Sequence, residues 1–289
     1  MTVMEEAVDA GWWTEPDQQQ LHLFEPPPVS TPLFFCEPDK IRVQRVGVTP
    51  IVHLQREMSR VRWNASPGRK MGFVVLHEDS LLGIGFLTSP VFCLTARDEF
   101  LNLPKDNTEK GRILRGYADL SVCVGAQPFA WHWNAGKLIA SLATTLGDFW
   151  RESYGDELVG LTTTSVWGRG SQYNRLWKFL GYTKGYGHVH VPDHVYWKMI
   201  DWMKKNGVER TPRAQSHRRM RNIGRFRRAV NGNTPLHDFH GEKRGIYYAP
   251  AVSSEQRSEV IHAWYERWGL PRYERTKDQE PPYTTGLAA

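Results

Sequence analysis

The segment from Asn134 to Gly185 sets the terms for any fold this chain can adopt, because helical and strand periodicities alternate within a span too short for separate domains. Leu138, Leu142, Leu146, Phe149 and Trp150 share one face of a helix expected from about Ala135 to Tyr154, with Asn134 and Gly155 at its caps. Leu158-Val159-Gly160-Leu161 is short and apolar, as a buried strand should be, and opens into the polar loop Thr162 to Gly170. Ser171 is placed to cap a second helix whose Tyr173, Leu176, Trp177 and Leu180 recur at helical spacing; Gly181 stops it and Tyr182 starts another strand. Such a unit requires a sheet with helices packed on it. It also leaves a polar loop at the C-terminal end of a buried strand.

Upstream, Ile41 to Val46 alternates as a first strand, and Thr49-Pro50 opens a helix with Ile51, Leu54, Met58 and Val61 inward. Met71 to Leu76 and Leu81 to Leu87 are apolar runs across His77-Glu78-Asp79-Ser80, a hairpin signal. In Thr95-Ala96-Arg97-Asp98 the capping-box spacing assigns Asp98 to a helix N-terminus rather than to substrate. Ala118, Leu120, Val122 and Val124 alternate with Asp119, Ser121 and Cys123, a strand that leads through Phe129, Trp131 and Trp133 into the Asn134 helix. The fold class is therefore α/β (α+β), a mixed central sheet flanked by helices.

Charge divides the chain. Between Lys204 and Arg228 ten Lys or Arg face one acid, Glu209, whereas the whole chain carries only +6. A helix from about Ser216 turns Met220, Ile223, Phe226 and Val230 inward and spreads Arg218, Arg219, Arg221, Arg225 and Arg228 over its remaining surface. Without interleaved acids such a face repels itself unless polyphosphate arrives, which points to nucleic acid. Residues 1 to 40 lean the other way, with eight acids against Lys40 and six of the eighteen prolines, a composition too polar to fold alone. The expected domains are a disordered acidic arm over 1–40, a core over 41–206, a basic helical C-terminal extension over 207–270 and a flexible tail over 271–289. A last helix is expected over Glu255 to Trp268, ended by Gly269.

No apolar run approaches the roughly 18 residues of a membrane span, and the N-terminus is acidic, so a cytoplasmic protein without a membrane partner is expected. Cys36, Cys93 and Cys123 are odd in number and far apart; Cys93 and Cys123 lie in apolar runs and suit small buried hydrophobes. His188 and His190 share a strand face, but no carboxylate accompanies them in sequence, and a solvated strand edge is preferred over a metal site.

The element order matches the GNAT acyltransferase architecture, in which a helix N-terminus beside the fourth strand holds the pyrophosphate of acyl-coenzyme A on backbone N–H groups. The positions that would do so are Asn134, Ala135, Gly136 and Lys137, although the spaced-glycine signature is not met: Gln127 lies too far upstream and Gly136 is the single glycine.

A more specific resemblance covers residues 54 to 253. Leu161-Thr162-Thr163-Thr164-Ser165, Gly168-Arg169-Gly170-Ser171-Gln172-Tyr173-Asn174-Arg175-Leu176 and Leu180-Gly181-Tyr182-Thr183-Lys184-Gly185-Tyr186-Gly187-His188-Val189-His190 resemble the Druantia anti-phage family, DruA. Ser89-Pro90-Val91-Phe92, Gly136-Lys137-Leu138-Ile139-Ala140 and Arg244-Gly245-Ile246-Tyr247 continue the likeness. A more distant similarity in element order joins the Mom proteins of phages, GNAT-like enzymes that alter adenine in DNA. In the acidic arm, Gln20-Leu21-His22-Leu23-Phe24 resembles the bacterial sliding-clamp binding motif, with Gln20, Leu21, Leu23 and Phe24 as its partner-binding residues.

In the polar loop and the segment after it, Ser165, Arg169, Tyr173, Asn174 and Arg175 are the candidate catalytic residues, offering a hydroxyl, amide donors and fixed cations for an anionic group or a developing negative charge. The expected function is a DNA-modifying transferase of GNAT-like, Mom-like fold. The alternatives are a non-catalytic DNA-binding component of a phage defence or counter-defence system, and an acyltransferase acting on protein or small molecules.

Overall fold

The computed structural model describes residues 33–58, 68–165, 168–186, 193–212, 218–231 and 243–280. The clamp-like motif at Gln20 to Phe24 and the pair His188 and His190 lie outside the described residues. Along the chain come β1 (Ile41–Val46), α1 (Val48–Met58), β2 (Lys70–His77), β3 (Ser80–Thr88), α2 (Thr95–Phe100), α3 (Asn107–Leu114), β4 (Tyr117–Gly125) and α4 (Phe129–His132). Then follow α5 (Ala135–Ala143), α6 (Gly147–Tyr154), β5 (Gly160–Ser165), β6 (Lys178–Tyr186), α7 (Asp193–Lys205), α8 (Arg218–Asn231), β7 (Lys243–Pro250), α9 (Arg257–Trp264) and α10 (Leu270–Thr276).

The strands form one sheet in the order β1-β2-β3-β4-β5-β7-β6. Neighbours from β1 to β4 are antiparallel, as are β5 and β7, while β4 and β5 run parallel. Among the described residues two compact units emerge, one running up to Lys184 and resuming at Arg244, the other drawn from Gly185–Lys243.

In the larger unit one sheet face packs on α5, whose Leu138, Ile139 and Leu142 are fully buried with Phe73, Leu87, Leu161 and Tyr247. The opposite face of β2 to β4 packs on α1 through Ile51, Val74, Ile84, Phe86 and Val122. The strand β4 serves both faces through a bulge. Phe86 pairs with Val122 but Leu87 with Leu120, so Ser121 is the extra residue, and the inward side chain changes from Leu120 under α5 to Val122 under α1. The simple alternation expected from Ala118 to Val124 misses this switch.

Three element boundaries differ from the sequence reading. The helix expected over residues 135–154 is two helices, because Thr144 and Thr145 fold their hydroxyls back onto the carbonyls of Ser141 (2.7 Å) and Leu142 (2.8 Å) where the ladder would continue. The helix expected after Ser171 is instead a turn leading into β6. Arg175 has a left-handed φ of 64°, which ends helical propagation, and Tyr173 and Trp177 are buried from that turn and from the residue before β6. At the C-terminus Gly269 does not stop the chain: a π-helical segment, Tyr265–Gly269, runs into α10. A Cβ on Gly269 would meet the Trp264 ring at 3.0 Å, so packing selects glycine there.

Two compositional expectations also change. Cys93 is exposed rather than buried, whereas Cys36 is completely buried. The acidic arm does not extend to residue 40, since the described part of it, from Leu33, joins the core. The Phe34 ring lies 4.5 Å from Phe129, Phe35 meets Trp133 and Tyr273 edge-on at 5.5 Å, and the Trp133 indole N–H donates to the Phe34 carbonyl. Aromatic groups bury enough area to outweigh the polar composition around them. A chain beginning at Ile41 is therefore expected to melt roughly 5–15 °C below one beginning at Leu33, as a loss of about 3–5 kcal/mol implies, and thermal unfolding of the two truncations measures it.

Candidate functional site

The candidate site begins where β4 and β5 part. The two strands pair only at Tyr117–Gly160, Ala118–Leu161 and Asp119–Thr162, although both continue beyond. Past this point β4 carbonyls face a widening gap and need other partners. The Thr163 hydroxyl donates to the Leu120 carbonyl at 2.7 Å, and the Gln172 amide reaches the Cys123 carbonyl at 3.0 Å. Threonines 162–164 and Ser165 thus belong to β5 itself, and the polar loop starts later than their composition suggests.

On the α5 side the seam is closed by the chain's own residues. Tyr173 is buried between Trp177 and Tyr247, and burial drives its hydroxyl well above its ordinary range, with Cys123 nearby adding to the rise. The Cys123 thiol, pushed up to about 12 by burial, lies 3.3 Å from the Gly136 carbonyl. The Gln172 amide oxygen would be 2.0 Å from any Cβ on Gly136. The Lys137 ammonium donates to the carbonyls of Gln172 (2.7 Å) and Asn174 (2.8 Å) and sits 4.2 Å from the Trp268 ring centroid. Desolvation, then the charges of Arg175 and Arg267, lower Lys137 to about 8.

These contacts test the sequence-derived cofactor position. Asn134 is left-handed, its side chain donates to the Trp268 carbonyl, and the amides of Lys137 and Leu138 turn back to the Asn134 carbonyl. Ala135 and Gly136 are buried, with Gln172 over the glycine. A coenzyme A pyrophosphate does not fit on this helix end in the arrangement described.

The predicted catalytic set divides rather than converging. Ser165 and Tyr173 are buried, while Arg169, Asn174 and Arg175 are exposed, Arg169 lying 4.7 Å over the Phe179 ring. In the smaller unit Arg218, Arg219, Arg221, Arg225 and Arg228 all lie on α8. Arg225 pairs with Glu209 at 3.0 Å, Arg219 sits 4.4 Å over the Tyr196 ring, and Arg221 and Arg228 are exposed.

The other sheet face holds a cluster that the sequence reading passed over. Asp119, beside the parting point, accepts from the Thr162 hydroxyl at 3.1 Å and is 8% exposed. Burial pushes its carboxyl up to about 6 even though Thr162, Arg97 and Arg244 pull the other way. Arg244 on β7 is lowered by desolvation against the pull of Asp119, and its buried Nε has no hydrogen-bond partner among the described residues. Tyr117 and Tyr248 are raised by burial, and Phe100 closes on Tyr248 at 5.2 Å.

Arg97 is fully buried and held from α2, its guanidinium donating to the carbonyls of Val91 (2.7 Å) and Phe92 (3.1 Å) and to Asp98. Asp98 also accepts from Lys110 and from the Leu94 amide at the start of α2, the capping role expected of it. A carboxyl that ionises near neutrality beside an unsatisfied guanidinium N–H can exchange a proton and orient a polar group. The one sequence signal for it was an aspartate in the middle of an otherwise apolar alternating strand.

The family model for Druantia protein DruA matches residues 42–258. The Druantia protein DruA of Escherichia coli (strain UMEA 4076-1) is 33% identical over 163 residues, which is 47% of this chain and 39% of that protein. The chain thus matches well under half of the length of this curated relative.

The raised carboxyl of Asp119 has a definite sign. An acid whose folded value lies near 6 against an ordinary 3.8 holds its proton more tightly when folded, so its contribution to stability falls as pH rises from about 4 to about 7. The decline amounts to about 3 kcal/mol. Asp119→Asn removes it: the variant is expected to melt above the parent at pH 8 and to lose that advantage at pH 4.5, as parallel thermal scans report.

Proposed function

The chain belongs to the Druantia protein DruA family, and from that premise we propose that it acts on DNA in the anti-phage setting the family resemblance implies, as a transferase of GNAT-like fold that modifies a base. The observation that carries this reading is Asp119. It stands beside the point where a parallel strand pair parts, is pushed up to about 6 by burial, accepts from the Thr162 hydroxyl, and feels the charge of Arg244, whose Nε has no hydrogen-bond partner among the described residues. When an amine on a base attacks the electrophilic carbon of an activated group, the nitrogen–carbon bond forms as that carbon's bond to its carrier breaks: the amine sheds a proton and the carrier departs with the electron pair. A carboxylate with a value near 6 takes that proton at physiological pH more readily than an ordinary aspartate. Arg244 supplies a donor for the charge that develops on the transferred group.

The antiparallel β1–β4 run, the helix following β4 and the parallel β5 support the GNAT-like assignment. The basic face of α8 supports a nucleic-acid substrate. The clamp-like Gln20, Leu21, Leu23 and Phe24 would then recruit the protein to replicating DNA through the sliding clamp. The cofactor lies outside this reading, because Gln172 occupies the helix end where coenzyme A would be held. That same closure favours a second reading, in which the core carries no chemistry and the chain is a DNA-binding component of the defence system.

Nucleoside mass spectrometry of DNA from cells expressing the protein separates the two. A mass-shifted nucleoside, present with the parent and absent with Asp119→Asn, is the expected result; unmodified DNA together with duplex binding supports the second reading. Binding itself is tested on α8. Arg221→Gln with Arg228→Gln is expected to weaken duplex binding regardless of sequence and to flatten the slope of log affinity against log salt by about 2, one for each phosphate no longer neutralised. Arg225→Gln, already neutralised by Glu209, is expected to change it least.

A further inference from the structure

The proposed proton transfer leaves two tyrosines beside Asp119 without a role. Tyr117 pairs across β4 and β5 with Gly160, and Asp119 pairs with Thr162 two residues further on, so Tyr117 and Asp119 share a sheet face roughly 7 Å apart. Tyr248 on β7 pairs with Thr162, yet its ring leans back over Gly160, where a Cβ would meet the ring at 2.9 Å and the hydroxyl at 3.0 Å. The glycine leaves room for that ring. Its lean carries the Tyr248 hydroxyl onto the residue pair to which Tyr117 belongs.

Both hydroxyls are available to a ligand. Each tyrosine is half-buried, neither hydroxyl has a hydrogen-bond partner among the described residues, and neither is closed off from solvent. Burial raises both phenols, Tyr117 adding to the rise at Tyr248 and Arg97 opposing it at Tyr117, so each keeps its proton at neutral pH and can donate as well as accept. The wall beside them is aromatic and cationic. Phe100, the last residue of α2 and 37% exposed, stands 5.2 Å from Tyr248. The exposed Lys178 at the start of β6 places its ammonium 4.2 Å over the Phe100 ring. A ligand that suits this surface is planar, carries donors and acceptors along one edge, and bears an anion. A nucleotide has all three.

We propose that Tyr117 and Tyr248 form the base-reading subsite of this chain, their hydroxyls hydrogen-bonding the edge of a single-stranded or extruded nucleobase while Phe100 lies against it and Lys178 holds its phosphate. The subsite rests on the DNA-modifying reading above for its ligand, and it adds the residues that select the base. Two hydroxyls at a fixed spacing match the donor and acceptor order of some bases and leave others unpaired, which is how a polar site discriminates. A base held there bridges the row between the tyrosine hydroxyls and Asp119. The edge that is read and the amine that reacts then belong to one ring.

Binding of the four deoxynucleoside monophosphates to the full-length chain, followed by ligand NMR alongside thermal scans, tests this. One of them is expected to bind about tenfold or more tightly than the weakest. Tyr117→Phe and Tyr248→Phe are each expected to keep the parent's melting temperature, because neither hydroxyl has a protein partner to lose among the described residues. Each should weaken the preferred nucleotide about tenfold and leave the others within about twofold. Lys178→Gln is expected to weaken all of them alike, as loss of a phosphate contact does. Equal affinities in the parent, or an unchanged preference in both tyrosine variants, would overturn the subsite. The nucleosides recovered from expressing cells report on the chemistry separately. Unmodified DNA together with tyrosine-dependent discrimination removes the transferase and leaves the subsite; the same modified base formed by the parent and by both tyrosine variants removes the subsite and leaves the transferase.

Discussion

The larger unit is built around a sheet that stops pairing partway along its length. Once β4 and β5 part after Asp119 and Thr162, each strand exposes backbone groups that a buried sheet cannot leave empty. On one face the chain answers with its own side chains: Thr163 and Gln172 serve the carbonyls of Leu120 and Cys123, and Tyr173 seals the gap between Trp177 and Tyr247. On the other face the same divergence leaves Asp119 and Arg244 in a polar cluster below tyrosines rather than in apolar packing. The closed seam and the titratable cluster are consequences of one break in the hydrogen-bond ladder.

That asymmetry gives the two faces of the core different contents. The helix end that acyltransferase architecture would devote to a cofactor is used up in holding the seam shut, with Lys137 spanning two carbonyls and Gly136 lying under Gln172. The opposite face keeps an acid poised near neutrality beside a donor with nothing to bind among the described residues. Buried groups in such states are costly, and sites of chemistry are where folds tolerate that cost.

The smaller unit solves a different problem. Its described apolar cluster is small, centred on Met199, Ile200, Met203, Ile223 and Phe226, and α8 carries no acid among its arginines. Buried polar ties through Asn222, Tyr196 and Thr211 add specificity that so small an apolar cluster lacks.

Much of this was written in local pattern. The hairpin of β2 and β3, the strand β4, the face of α5, the glycine that caps α6 and the acid-poor basic helix follow from periodicity and charge, because each depends on neighbours a few residues away. What failed were inferences that needed a partner distant in sequence. Helical spacing in Tyr173, Leu176 and Trp177 could not disclose that Arg175 turns left-handed and that the aromatics are buried from a turn and the start of a strand. Nor could an aspartate in a strand announce that Thr162, Arg97 and Arg244 would surround it, since these lie on three other elements joined to β4 only by the sheet and α2. The polar arm up to residue 40 read as unfolded because composition averages over a segment, whereas Phe34 and Phe35 are held by Phe129, Trp133 and Tyr273 across the fold and Cys36 is fully buried. Sequence alone determined the family, most of the elements and the segregation of charge, all of which are local or compositional; tertiary structure decided which polar groups meet, because burial and proximity exist only after distant strands have paired.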